Sequence, residues 1–218
     1  MKRIIRYFTN LSEREATKFL IIFYIVGIIG FLIPYTRHLF EILIPITLLI
    51  NIFLLFLFHK PFDPRHVIFF VSVAVITFAI EAIGVNTGVL FGDYLYGESL
   101  PVKLFHTPVI IGLNWLLLSY GITQLIRNSI QLRKYLIILG AAGMTFFDFF
   151  MEPVAMKTGM WTWAYNVIPY TNYIMWFVVS ALILAGFELF KIRTDQKTAG
   201  RIFLFQFMFF LILYFFLK

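Results

Sequence analysis

The sequence predicts an all-α protein, a polytopic transmembrane bundle of about seven helices, on three observations. The first is composition. Of 218 residues, 61% are hydrophobic and only 13% charged, with 28 Phe and no Cys, whereas a water-soluble domain carries about 25% charged residues. The second is length: apolar runs of roughly 16–20 residues recur between short polar breaks, the span a helix needs to cross a hydrocarbon core. A transmembrane barrel is excluded, because its strands are shorter and alternate in polarity. The third is the sorting of basic residues between the two sides. It explains a net charge of +7 by topology, so no nucleic-acid partner is expected. Without Cys there are no disulfides, thiolate metal sites or cysteine nucleophiles.

Apolar runs bounded by charge place helices at roughly 17–35, 39–58, 67–86, 106–126, 135–152, 172–190 and 202–217. A tail, 1–16, comes first; its Lys2, Arg3 and Arg6, then Ser12-Glu13-Arg14-Glu15, are too polar for a signal peptide, so it is expected to stay attached. Arg37 divides the first two runs, and Lys60 and Arg65 separate the second from the third. Asp93 to Lys103 mark the loop before the fourth, and Arg127, Arg133 and Lys134 close it. Glu152 and Lys157 end the fifth, Lys191 to Arg201 separate the sixth from the seventh, and Lys218 follows the last.

With seven spans, fourteen Lys and Arg fall on one side and only Arg37, Lys103, Lys157 and Lys218 on the other. The positive-inside rule then puts the N-terminus in the cytoplasm and the C-terminus outside, in a bacterial or archaeal cytoplasmic membrane. The chain reads as one integral membrane domain, 1–218: the tail at 1–16, flanking helices at 17–58, a repeat-containing catalytic core at 67–190 and a last helix at 202–217.

Glu41, Glu81, Asp93, Glu98, Asp148 and Glu152 gather toward the external side. Glu81, Asp148 and Glu152 lie inside or at the edge of apolar runs, where an ionised carboxylate is costly enough to imply a partner or a function. Two segments, about 75–126 and 146–190, also match. Glu81, Gly88 and Tyr94 are spaced as Glu152, Gly159 and Tyr165, and Pro108, Trp115 and Ser119 as Pro169, Trp176 and Ser180. The loop between is ten residues longer in the first copy. Two helix pairs repeated in parallel would place Glu81 and Glu152 on one pocket from symmetric positions.

Candidate catalytic groups follow. Asp148 and Glu152 are four apart, one helical turn from each other. Two carboxyls so placed in an apolar run cannot both ionise cheaply, which leaves one protonated as a general acid. Trp161, Trp163 and Tyr165 follow directly, and aromatic rings there are either interfacial anchors or the wall of a pocket that stabilises a developing cation. Tyr94, Trp115 and Trp176 supply equivalent positions, with Asn172 nearby. Asp93, in Gly92-Asp93-Tyr94, is a fourth candidate acid, or plain turn chemistry. Asn114 orients water or, the commoner role, cross-links helices. His38, His59, His66 and His106 are scattered with no ligand spacing, so no metal site is expected. Phosphate-binding loops, Ser-His-Asp sets and nicotinamide fingerprints are absent from the sequence.

Glu81-Ala82-Ile83-Gly84-Val85-Asn86-Thr87-Gly88, Phe91-Gly92-Asp93-Tyr94-Leu95-Tyr96, Phe105-His106-Thr107-Pro108 and Asn114-Trp115 together resemble the CruF-type carotenoid 1,2-hydratases. So do Asp148, Glu152-Pro153-Val154, Gly159-Met160-Trp161-Thr162-Trp163 and Ile168-Pro169. The likeness covers about 75–180. Glu152-Pro153 stands where Asp-Pro is common in that family, which keeps the acid and lengthens its reach. The resemblance implies an integral membrane lyase, without cofactor, that adds water to the 1,2 double bond of an acyclic carotenoid end group such as that of γ-carotene or lycopene. Its partners would be that apolar substrate, water, the lipid bilayer and other enzymes of carotenoid biosynthesis. Rival readings are a lycopene-type cyclase or other end-group enzyme, which would exclude water, and a small membrane transporter, which intramembrane acids on parallel repeats also suggest. Asn114, Asn166, Thr171 and Asn172 near the pocket favour water.

Overall fold

A computed structural model describes residues 11–61, 63–193 and 196–217. Its helices are α1 (Glu13–Leu32), α2 (Pro34–Ile42), α3 (Ile44–Phe58), α4 (Pro64–Thr87), α5 (Ile110–Arg127), α6 (Leu136–Lys157), α7 (Tyr170–Leu189) and α8 (Thr198–Phe216). Four short strands, β1 (Tyr94–Tyr96), β2 (Lys103–Leu104), β3 (Thr107–Pro108) and β4 (Trp161–Trp163), lie between helices.

The first helix starts earlier than the apolar run does. Ser12 caps it, accepting from the Glu15 N–H while the Glu15 carboxylate accepts from the Ser12 N–H at 2.9 Å, so the polar residues 13–16 are helical. Residues 1–10 of the expected tail lie outside the described residues. The runs expected at 17–35 and 39–58 become three helices. Pro34 begins α2 and Pro45 sits in the first turn of α3, positions where a missing N–H is harmless, and α2 and α3 meet at a 56° bend.

Five helices, α1, α4, α6, α7 and α8, are long and apolar enough to cross a membrane, and six if α2 and α3 count as one broken span. Lipid-facing side chains such as Ile22, Val71 and Leu182 are exposed on them, as a multi-pass membrane protein requires. The expected count of seven is not confirmed by length and composition: α5, the run expected at 106–126, is not among these helices. It carries Asn114, Ser119, Thr123 and Gln124 and packs against α3, α4, α6, α7 and α8. A helix surrounded by protein needs less hydropathy than one that meets lipid.

The all-α expectation is also qualified. β1 pairs antiparallel with β4, Tyr94 opposite Trp163 and Tyr96 opposite Trp161, and β2 pairs with β3. The β1–β4 ladder ties the loop after α4 to the loop after α6.

The histidines are not all scattered, another correction. His59 Nε2 and His66 Nδ1 are 2.9 Å apart, and His59 Nδ1 is 2.8 Å from the Tyr120 hydroxyl, which accepts from Gln196 Nε2 at 3.1 Å. This buried cluster sits at the start of α4. No group of three or more potential metal ligands occurs among the described residues.

Candidate functional site

Glu81 lies in the last two turns of α4, and Glu152 and Asp148 lie on one face of α6; all three are buried. Both helices end before a glycine in the left-handed conformation, Gly88 at φ +67° and Gly159 at φ +66°, which turns the chain back over the helix end. The returning segments are β1 and β4. Residues two apart on a strand share a face, so Tyr94 with Tyr96, and Trp161 with Trp163, point together toward the carboxyls, while Leu95 and Thr162 point out.

Glu81 Oε2 accepts from the Tyr94 hydroxyl at 2.5 Å and the Tyr96 hydroxyl at 3.0 Å, and its Oε1 from Trp115 Nε1 at 2.8 Å. Glu152 Oε2 accepts from Trp161 Nε1 at 2.8 Å and Trp163 Nε1 at 2.6 Å. Asn172 Nδ2 donates to Asp148 Oδ2 at 2.7 Å and, at 3.3 Å, to Glu152 Oε1. Asp148 Oδ1 is buried without a hydrogen-bond partner. Burial, and then the Glu81 carboxyl, push the phenols of Tyr94 and Tyr96 up, so both remain donors.

Glu81 and Glu152 line one cleft together with Tyr94, Tyr96, Asn114, Trp115, Trp161, Trp163, Asn172 and Trp176. Its volume is about 30 Å³, enough for one or two waters at roughly 10–15 Å³ each. Trp115 and Trp176 stack with centroids 4.1 Å apart, and Tyr94 lies 4.7 Å from Trp163. Ile111, Asn114, Met151 and Trp161 line this cleft and also a larger apolar cavity of about 310 Å³. Asn114 makes no side-chain hydrogen bond among the described residues, so it is not the helix cross-link that its type suggests.

Most of the residues expected at the site come together here, and some do not. Asp148 lies behind Glu152 and lines neither cavity. Asp93 is exposed and packs its carboxylate against Gly88, where any side chain at 88 would collide with it; its role is in the turn. Tyr165, matched to Tyr94 by spacing, is 96% exposed at φ +57°, because β4 begins two residues after Gly159 and ends at Trp163, whereas β1 begins six residues after Gly88, at Tyr94. Thr171 donates to the Phe91 carbonyl and Asn166 is exposed. Tyr96 was not anticipated. The period-two pattern Tyr94-Leu95-Tyr96, answered by Trp161-Thr162-Trp163, is the signal that finds it.

The arrangement supplies two carboxyls on a small, water-sized cleft, each held by aromatic donors, beside an apolar cavity. That set can donate a proton, accept one and stabilise positive charge between the two events. No curated protein and no solved structure matches the chain. A family model described as carotenoid biosynthesis protein matches residues 40–218, and the chain belongs to that family.

Proposed function

We propose that this protein is a cofactor-independent carotenoid 1,2-hydratase, a lyase acting on an acyclic end group such as that of lycopene or γ-carotene. Family membership is consistent with an enzyme of carotenoid metabolism. The observation that carries the reading is that Glu81 and Glu152 line one water-sized cleft joined to an apolar cavity.

In this reading Glu152 is the general acid. Both Trp donors converge on its Oε2, which leaves Oε1, with one long contact from Asn172, to carry the proton. Glu81 has donors on both oxygens, which suits an ionised base. Glu152 protonates C-2 of the terminal double bond, and the electron pair of that bond forms the new C–H bond. A tertiary cation is left at C-1, stabilised by the Glu81 carboxylate and the faces of Trp115 and Trp176. Water positioned by Asn114 attacks C-1 and releases its proton to Glu81, giving a tertiary alcohol. Proton return from Glu81 to Glu152 through water resets the site, so one water is consumed and nothing else. Asp148, linked to Glu152 by Asn172, is a positioning residue that keeps the pair from ionising together. Glu81 and Glu152 would be related by a pseudo-twofold axis near the membrane normal, with the N-terminus cytoplasmic and this cleft on the external side.

The test is expression in cells that accumulate acyclic carotenoids, followed by mass analysis of the pigments. Gain of one water per reacting end, lost with Glu152→Gln, is expected. A product of unchanged mass would replace the hydratase with a cyclase, and unaltered pigments would overturn both.

A further inference from the structure

The larger cavity is walled mainly by helices to which the hydratase resemblance does not extend. α1 packs on α2 and α8, and α3 packs on α5 and α8. Between them is the chamber of about 310 Å³, lined by Phe23 and Gly27 of α1, Phe40 of α2, Ile46 and Thr47 of α3, and Phe209 of α8, among others. Its inner end reaches Asn114 and Trp161, which also line the acid cleft. At its outer end Val26 and Ile46 line the chamber and are also 50% and 51% exposed on the lipid-facing surface. The cavity therefore extends from the bilayer side to residues that it shares with the acid cleft, Asn114 and Trp161 among them.

We propose that α1–α3 form a lateral entry chamber that takes the acyclic hydrocarbon end of a polyene from the bilayer and delivers its terminal double bond to the cleft. The inference rests on the carotenoid reading of the cleft. Three features identify the occupant. The wall is almost wholly aliphatic and aromatic, which matches a conjugated hydrocarbon and offers a headgroup no ion pair. The volume is at the small end of the range for drug-sized ligands, roughly 300–1,000 Å³, so it accepts an end group while the remainder of a long chain stays in lipid. The inner end includes Trp161, which donates to Glu152. Of the few polar side chains in the wall, Gln206 is only 4% exposed and its Oε1 has no hydrogen-bond partner; it is placed to accept from one hydroxyl or water in a mostly apolar chamber.

Glycine at 27 keeps the chamber open. A Cβ there meets the Phe209 ring at 3.5 Å, ordinary contact, so a larger side chain fits the fold and projects into the void. The experiment uses the full-length protein in the Glu152→Gln background, purified in mild detergent from cells that make acyclic carotenoid, and reads polyene absorbance per protein. Gly27→Leu and Ile46→Trp should each cut retained pigment at least tenfold, and should cut turnover similarly in the active protein. Ile22→Trp, on the lipid face of α1 at 64% exposure and outside the chamber, should change neither. Because Ile46 is on the surface, its variant tests the mouth even if Gly27→Leu fails to fold. Undiminished pigment in Ile46→Trp, or no pigment in the Glu152→Gln parent, overturns the chamber. Pigment that is retained and lost as expected, with no water added by the active protein, upholds the chamber and overturns the hydratase.

Discussion

α4 carries a buried polar cluster at each end, His66 with His59, Tyr120 and Gln196 near its start and Glu81 with the Tyr and Trp donors near its finish, roughly 22 Å apart at 1.5 Å per residue. The two are built from similar materials, titratable side chains held by Tyr hydroxyls. In the histidine cluster the groups bond one another, and none of its four residues lines the acid cleft or the larger apolar cavity. In the acid cluster one oxygen of Asp148 is left without a partner, the Asn114 side chain makes no hydrogen bond among the described residues, and a cleft is lined by both Glu81 and Glu152. Burial of polar groups by itself therefore marks a cross-link as readily as a site. Unsatisfied valence beside a void is what separates chemistry from glue.

The largest effect should come from Glu152→Gln and Glu81→Gln, each expected to lower hydration about 10²–10⁴-fold with the protein still folded in the membrane; pigment mass analysis with a quantified protein band checks this. Wild-type turnover in both would reduce the acid cluster to a second cross-link. Asp148→Asn should be milder, about tenfold, because Asp148 lines neither cavity, and it should shift the pH profile of turnover rather than abolish it. A loss as deep as that of Glu152→Gln would move Asp148 from positioning residue to proton donor.

The other cluster should respond in stability. Tyr120→Phe removes a hydroxyl bonded to His59 and Gln196, and the loss of buried hydrogen bonds should cost about 1–3 kcal/mol. The detergent-solubilised protein should melt several degrees lower with turnover per folded molecule unchanged, and a specific loss of turnover would break the contrast. The smallest effect is pH dependence. Burial and the neighbouring His66 hold His59 down to about 4, below its unfolded value of about 6.5. Between those values the unfolded chain binds a proton that the native one refuses, so stability is full above about pH 6.5 and falls as pH drops toward 4. His59→Gln should flatten that slope in thermal melts from pH 7 to 4.

The acid cluster was legible because a carboxylate in an apolar run has few innocent explanations, and three of the four acids singled out by sequence come together. The fourth, Asp93, sat in a Gly-Asp-Tyr turn whose chemistry reads the same with or without a site. Tyr165 lies outside the cleft because equal spacing from Glu and Gly does not fix where the strand falls: β4 ends at Trp163, whereas Tyr94 opens β1. The His59–His66 contact was hidden by its context, two residues flanking a helix-to-helix turn that brings them together only after both helices have packed. The chamber was equally hidden, since Phe23, Ile46 and Phe209 each read as a lipid-facing or core residue alone.

Composition and apolar run length determined the membrane helices, because hydropathy over a span is a local sum. The identity of the buried acids was also local, since the cost of ionising them depends on the apolar sequence around each. Tertiary structure decided which helix is enclosed by the others, which strands pair across 69 residues from Tyr94 to Trp163, and where the void lies. These depend on which faces meet: a three-residue period-two pattern does not name its partner strand, and a gap between packed helices leaves no trace in any single window of the chain.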